Sequence, residues 1–365
     1  MTKKKKIGIL TLRVDNNYGG NLQRYALCKV LREMGYDASV LYFRSTWLND
    51  SIKRKITRSI KNFIKMLFGR IHNPVFYWKH EDYQWEENRK YTYPFFYKYV
   101  KHTPLIYSLK SLQRHIQTEK YDAFVVGSDQ VWRKAYTERW GVERFFLDFA
   151  PKNTKKIAYA ASFGRYDMEY NEDERTRIHK LYSRFDAVSV REDSGISILE
   201  KHGWNNPKAI QVLDPTMLLT REHYMQLIAK GNTYSSNGNM FCYILDITDK
   251  ISSVIDTLAV EKKLKPFYSL IEGNDRMSIE QWLRSFTDAE YVVTDSYHGV
   301  VFALIFNKPF YLIENSSRGN ARFDSLAYAF GISPNHNEPN WNILNKRINE
   351  MREVSMCFLE EKLTN

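Results

Sequence analysis

The 365-residue chain is poor in cysteine: Cys28, Cys242 and Cys357 are odd in number and widely spaced. No pairing among them resembles a disulfide framework or a zinc site, which points to a reducing compartment. Long apolar runs are also missing, so no bilayer-spanning segment is predicted. The basic start Lys3–Lys6 leads into a short strand, not a signal-type apolar region, and the expected location is the cytoplasm. Neither a Walker sequence nor Gly-x-Gly-x-x-Gly occurs, so neither nucleotide hydrolysis nor a dinucleotide cofactor is indicated. Zinc-finger spacing, an aromatic RNP-like strand and a helix-turn-helix are lacking as well. That leaves charge as the sole support for a nucleic-acid partner, and none is expected.

What is present is basic and aromatic. An excess of 54 Lys+Arg over 42 Asp+Glu gives a net charge of +12, which favours anionic partners. Aromatics make up 15%, with 25 Tyr and 8 Trp, and suit surfaces that stack on sugar-like ligands. The length exceeds what one compact core usually supports, so two domains are expected.

Part of the positive charge is concentrated between Ser51 and Ile71. Apolar positions Ile52, Ile56, Ile60, Phe63, Ile64, Leu67, Phe68 and Ile71 repeat with helical spacing, and no acid interrupts the segment. Lys53, Arg54, Arg58, Lys61 and Lys65 are among the cations that fill the remaining positions. Such a helix can lie on an anionic membrane or pack its stripe on the domain, and the sequence supports both readings equally.

Elsewhere strand-like and helix-like segments alternate. Ile7–Leu12, a helix over Gly20–Met34 and Ala38–Phe43 form a βαβ unit, from which a parallel sheet follows. Residues 45–118 read as a helical, basic and aromatic insertion. Alternation resumes at Ala123–Val126, Lys156–Ala160, Ala187–Val190 and Gln211–Leu213. A linker-like run from Asn232 separates a second block containing Met240–Leu245, Tyr291–Thr294 and Pro309–Ile313. The expected division is 1–220, 221–345 and a C-terminal helix, 346–365, that crosses back onto the first domain.

Each strand ends in a polar or glycine-containing loop, the edge at which open α/β sheets bind ligands. Asn17-Tyr18-Gly19-Gly20-Asn21-Leu22-Gln23 opens a helix and can admit a ligand to free backbone N–H groups, or simply form a tight turn. Gly127-Ser128-Asp129-Gln130 offers a hydroxyl, a carboxylate and an amide, a set that suits a polyol or caps a helix. Asp214-Pro215 follows another strand. His298, in Thr294-Asp295-Ser296-Tyr297-His298-Gly299, has basic residues downstream at Arg318 and Arg322. Asp295 and Ser296 lie too close in sequence for triad geometry, and no metal-ligand spacing surrounds the histidine. A general acid or base, or a phosphate donor, is the useful reading.

Together these loops, with Ala158–Gly164, Ser189-Val190-Arg191-Glu192 and Val212-Leu213-Asp214-Pro215, resemble the polysaccharide pyruvyl transferase family. The resemblance implies an α/β fold with two Rossmann-like domains facing a cleft, as in GT-B glycosyltransferases. It further implies phosphoenolpyruvate as co-substrate, no other cofactor and no metal, with a pyruvate ketal formed on a hexose of a cell-surface glycan precursor. The expected acceptor is lipid-linked, and peripheral contact with an anionic membrane surface would suit it. On this reading His298 contacts phosphate and transfers the proton. Arg191, Arg318, Arg322 and Ser296 bind the donor, with Ser296 standing where many members carry arginine. Asp129 and Asp214 orient or deprotonate acceptor hydroxyls, beside an acceptor surface of Asn17, Tyr18, Gly19, Gly20, Asn21, Gln23, Ser128 and Gln130. A nucleotide-sugar glycosyltransferase and a non-catalytic glycan- or membrane-binding protein are the competing readings.

Overall fold

The computed structural model describes residues 4–43, 52–67, 90–270, 276–313, 321–332 and 339–364. Arg318 lies outside them.

Two parallel sheets organise the chain. The first holds β1 (Lys6–Leu10), β2 (Asp37–Val40), β3 (Ala123–Asp129), β4 (Lys155–Ala161), β5 (Ala187–Val190) and β6 (Ala209–Gln211), in the order β2-β1-β3-β4-β5-β6. The second holds β7 (Met240–Ile244), β8 (Pro266–Leu270), β9 (Tyr291–Thr294) and β10 (Phe310–Leu312), in the order β10-β9-β7-β8. Strands such as β3 and β7 are buried along their whole length. That is why they read as continuous apolar runs and not as alternating ones, since helices cover both faces of a parallel sheet.

Each sheet has one topological switch point. In the first, the chain moves outward from β1 to β2 and then resumes on the other side at β3. In the second, it moves from β7 to β8 and resumes on the other side at β9. The crevices beyond the carboxyl ends of β1/β3 and of β7/β9 are therefore the places where a ligand is expected.

The helix α1 (Tyr18–Glu33) joins the two units. Asn17 caps it, its side chain accepting from Gly20 N at 2.9 Å. Tyr18, at its first turn, stacks on Trp282 of the second domain with ring centroids 5.4 Å apart and planes 8° from parallel. Such a pair contributes about 1 kcal/mol beyond its buried area. The Tyr18 hydroxyl also accepts from Met277 N at 3.0 Å, and one apolar core runs from the first sheet through α1 to the helices Ile279–Asp288 and Tyr297–Ile305.

The segment expected as an insertion is helical over Ile52–Leu67 (α2), residues 90–99 and Leu109–Glu119, but its later part is built into the first domain. Phe95 and Phe96 belong to the shared core, and Val40 N donates to Lys101 O at 2.9 Å along the free edge of β2. A long helix, Trp341–Thr364, returns from the second domain to the first. Its Ser355 Oγ accepts from Leu213 N at 2.9 Å, and Arg352 Nε donates to Met217 O at 2.7 Å.

Candidate active site

The two switch points face each other across a cavity of about 440 Å³. The first domain supplies Arg13, Asp15, Asn16 and Asn17 from the loop after β1, with Asp129 and Gln130 from the end of β3. The second supplies Leu245 after β7 and Asp295, Ser296, Tyr297 and His298 after β9. One wall is aromatic, where Phe43 stacks on Trp140 at 3.8 Å and Tyr136 stands nearby.

His298 occupies the first turn of the helix Tyr297–Ile305, whose positive end points at the cavity. The tight strand-to-helix turn behind it needs Gly299, because a Cβ there would collide with the Thr294 side chain that donates to Tyr243 O at 2.7 Å. Asp295 ties the turn to the neighbouring strand end, accepting from Leu245 N at 2.7 Å. The imidazole is 4% exposed. Its Nε2 has no hydrogen-bond partner and lies 3.6 Å from Asp214 Oδ2, an ion-pair separation when the ring is protonated. Asp214 thus backs the ring from the side away from the cavity and fixes its orientation at the cavity wall.

Behind the cavity lies a buried charge cluster centred on Arg191. Its Nη1 donates to Asp214 Oδ2 at 2.8 Å, its Nη2 reaches Asp129 Oδ1 at 3.3 Å, and Glu192 Oε2 is 3.7 Å from its Nε. Its guanidinium also lies 4.3 Å from the ring centroid of Tyr297. Burial alone would lower the Arg191 pKa, but Tyr297 and the three carboxylates hold it above its ordinary value. Burial likewise opposes ionisation of Asp214 and Asp129. Even so, His298 and Arg191 keep Asp214 well below the usual carboxylate range, and Arg191, His298 and Arg322 keep Asp129 below it. Arg322 sits 5.5 Å from the centroid of the same Tyr297 ring, and burial together with the like charge of Arg191 lowers its pKa.

These placements separate the sequence-predicted residues into groups. His298, Asp129, Gln130, Asn17, Ser296 and Arg322 line the cavity. Asp214 and Arg191 do not; both are buried, and Asp214 spends its other oxygen on Thr216 N at 3.0 Å and Thr216 Oγ1 at 2.7 Å. Asp214 is therefore placed to orient His298, not to touch an acceptor hydroxyl. Gln23, Asn21 and Ser128 are buried and satisfied internally: Gln23 Nε2 donates to Thr11 Oγ1, Asn21 Nδ2 to Asp15 O, and Ser128 Oγ to Gln23 Oε1. Tyr18 and Gly19 form the seam between the domains, and Gly20 N donates to the Asn17 cap. A Cβ on Gly19 would fall inside the His298 imidazole, so this glycine admits a histidine from the other domain and not a ligand. Gly19→Ala should accordingly displace the ring by about an ångström and cost roughly 10²-fold in turnover, with a smaller change in substrate KM. Steady-state kinetics of the variant test this, and turnover equal to wild type would sink the assigned contact.

Among the cavity residues not picked out from the sequence are Arg13, Tyr136, Arg139 and Trp140. Arg13 sits in the loop after β1, the kind of loop already marked as a ligand edge. The other three follow Trp132 in a stretch with no clear period.

Two parallel α/β domains opposing their carboxyl edges across a cleft make this a GT-B-like protein. In fold it is similar to the UDP-N-acetylglucosamine 2-epimerase from Rickettsia bellii, with a TM-score of 0.51 and 11% identity over 99% of this chain and 97% of that one. It is also similar to the UDP-GlcNAc 2-epimerase from Neisseria meningitidis bound to UDP-GlcNAc, with a TM-score of 0.50 and 12% identity over 99% of both chains. At such identity the likeness is one of fold. No curated protein matches the chain. The model of the polysaccharide pyruvyl transferase family matches residues 17–317, most of its length, and the chain belongs to that family.

Proposed function

We propose that the chain transfers the pyruvyl unit of phosphoenolpyruvate to two hydroxyls of a hexose in a surface-glycan precursor, forming a ketal and releasing phosphate. The observation that carries this reading, given the family, is a buried histidine backed by a carboxylate that lines the same cavity as Arg322, where both switch points meet.

The donor is a small anion with a phosphate and a carboxylate. Arg322, with Arg13 and Arg139 at the cavity wall and the positive end of the helix carrying His298, suits that charge. His298 gives a proton to the methylene carbon, which leaves the phosphate-bearing carbon electrophilic. One sugar hydroxyl adds there and loses its proton to Asp129, the carboxylate at the cavity wall. Phosphate then leaves with its bonding pair, and the second hydroxyl closes the ketal. Of the two hydroxyl protons, one replaces the proton given to the methyl group and the other departs with phosphate. Asp129 adopts a left-handed φ of 70°, which turns the chain sharply out of β3 at this point. The aromatic wall of Phe43, Trp140 and Tyr136 offers the flat face that a hexose prefers.

Incubation with phosphoenolpyruvate and a glycan acceptor tests the reaction: phosphate release should match, mole for mole, an acceptor mass gain equal to one pyruvyl group. Activity only with a nucleotide sugar would reject it in favour of glycosyl transfer. Arg322→Met should raise the KM for phosphoenolpyruvate by about 10–100-fold, the loss of one buried charge-assisted contact. An unchanged KM would remove Arg322 from the donor site.

A further inference from the structure

Among the described residues, helix α2 carries an apolar face that stands largely exposed. Ile56 and Ile60 are each 53% exposed, Phe63 46%, Ile64 47% and Leu67 66%, and their spacing puts them on one side of the helix. An ordinary amphipathic surface helix buries this stripe against its domain; here it faces solvent. Contiguous exposed apolar surface of this kind marks an interaction site. Positions Arg54, Arg58, Lys61 and Lys65 repeat at the same spacing half a turn away, and neither Asp nor Glu occurs from Ser51 to Ile71.

Charge chooses the occupant. A second copy would set one acid-free basic helix against another, and repulsion would oppose the apolar gain. A bilayer with anionic headgroups accepts both faces at once, with the apolar stripe at the acyl boundary and the cations among the phosphates. Among the described residues no helix is long and apolar enough to cross a membrane, so the geometry is that of a helix lying in the interface. The chain enters α2 after leaving the carboxyl end of β2, the sheet edge at which the cavity opens. We infer that α2 docks the protein on an anionic phospholipid surface through Ile56, Ile60, Phe63, Ile64 and Leu67. This does not depend on the transfer reaction and stands or falls by itself.

Flotation of the full chain with vesicles tests it. Vesicles of phosphatidylglycerol and phosphatidylcholine should retain the protein at least about tenfold better than phosphatidylcholine alone, and added salt should weaken retention. Each cation near such a surface strengthens binding by a factor of about five, so Arg54→Glu, Arg58→Glu and Lys61→Glu together should weaken it about a hundredfold or more. Ile60→Ser with Phe63→Ser should weaken it more than about tenfold while leaving the melting temperature unchanged, because both side chains are already exposed. Failure of the wild-type chain to float with anionic vesicles would overturn the inference, as would unchanged flotation of either variant. Conversion of a dimer to a monomer by the serine pair, with flotation retained, would show instead that the face binds a second copy.

Discussion

Replacing His298 with alanine is expected to cut ketal formation by about 10²–10⁴-fold, the usual contribution of a positioned general acid, while the protein stays folded. The fold survives because Asp214 keeps Arg191 and Thr216 as partners when the imidazole is removed, and the ring rests on the bare backbone of Gly19. On the proposed mechanism it supplies a proton at the meeting point of the two domains, with Asp214 3.6 Å from its Nε2. The loss should fall on kcat, because on the same proposal the donor's charge is met by Arg322 and by Arg13 and Arg139 at the cavity wall. A phosphate-release assay with a mass readout on the acceptor measures the effect. Turnover within about threefold of wild type would move the acid elsewhere. A histidine with only a structural role predicts the opposite pattern, with kcat kept and melting temperature lost.

Much of the frame is legible in the sequence because parallel strands covered on both faces leave an unmistakable trace. Runs such as Ala123–Val126 and Tyr291–Thr294 end in polar loops, and those loops turn out to rim the cavity. The assignment of individual loop residues is harder, for a physical reason. A glycine signals that something must approach the backbone closely without saying what. At Gly19 the visitor is His298, far along the chain, and the helix opening that reads as a ligand loop is a seam between domains. Charged residues at strand ends are ambiguous in the same way. Arg191 and Asp214 look like ligand groups one at a time, and only the fold shows that they neutralise each other. The sequence leaves the stripe on α2 open between packing and docking, because periodicity reports the existence of an apolar face and not its cover; the exposure of Ile60 and Leu67 is what supports the docking inference. Arg139 and Trp140 escaped notice because they sit in an aperiodic stretch, where only tertiary placement distinguishes a cavity wall from any other loop.

Arg191→Met should be strongly destabilising, at about 3–5 kcal/mol near neutral pH. The methionine fills most of the space, so the cost is electrostatic. Asp214, Asp129 and Glu192 are all buried around the guanidinium, and removing it leaves three carboxylates in a poorly solvated interior with His298 and Arg322 as the nearest cations. Arg191→Lys should recover less than half of the loss, since one ammonium cannot bridge two aspartates that a forked guanidinium spans at 2.8 and 3.3 Å. The dependence on pH separates this account from a simple packing defect. In the wild type both aspartates have depressed pKa values, so their contribution to stability is present at neutral pH and is lost as pH falls below about 4, the value of an unfolded aspartate. In the variant the dominant influence becomes burial, which raises the folded-state pKa above that of the unfolded chain. The folded variant then binds protons more readily than its unfolded chain and gains stability as pH falls from neutral towards about 5. The gap between the two proteins should therefore narrow on acidification, and urea unfolding midpoints at pH of about 7.5, 6 and 5 measure it. A gap that stays constant over that range would mean that Arg191 is held by packing and that the carboxylates do not depend on it.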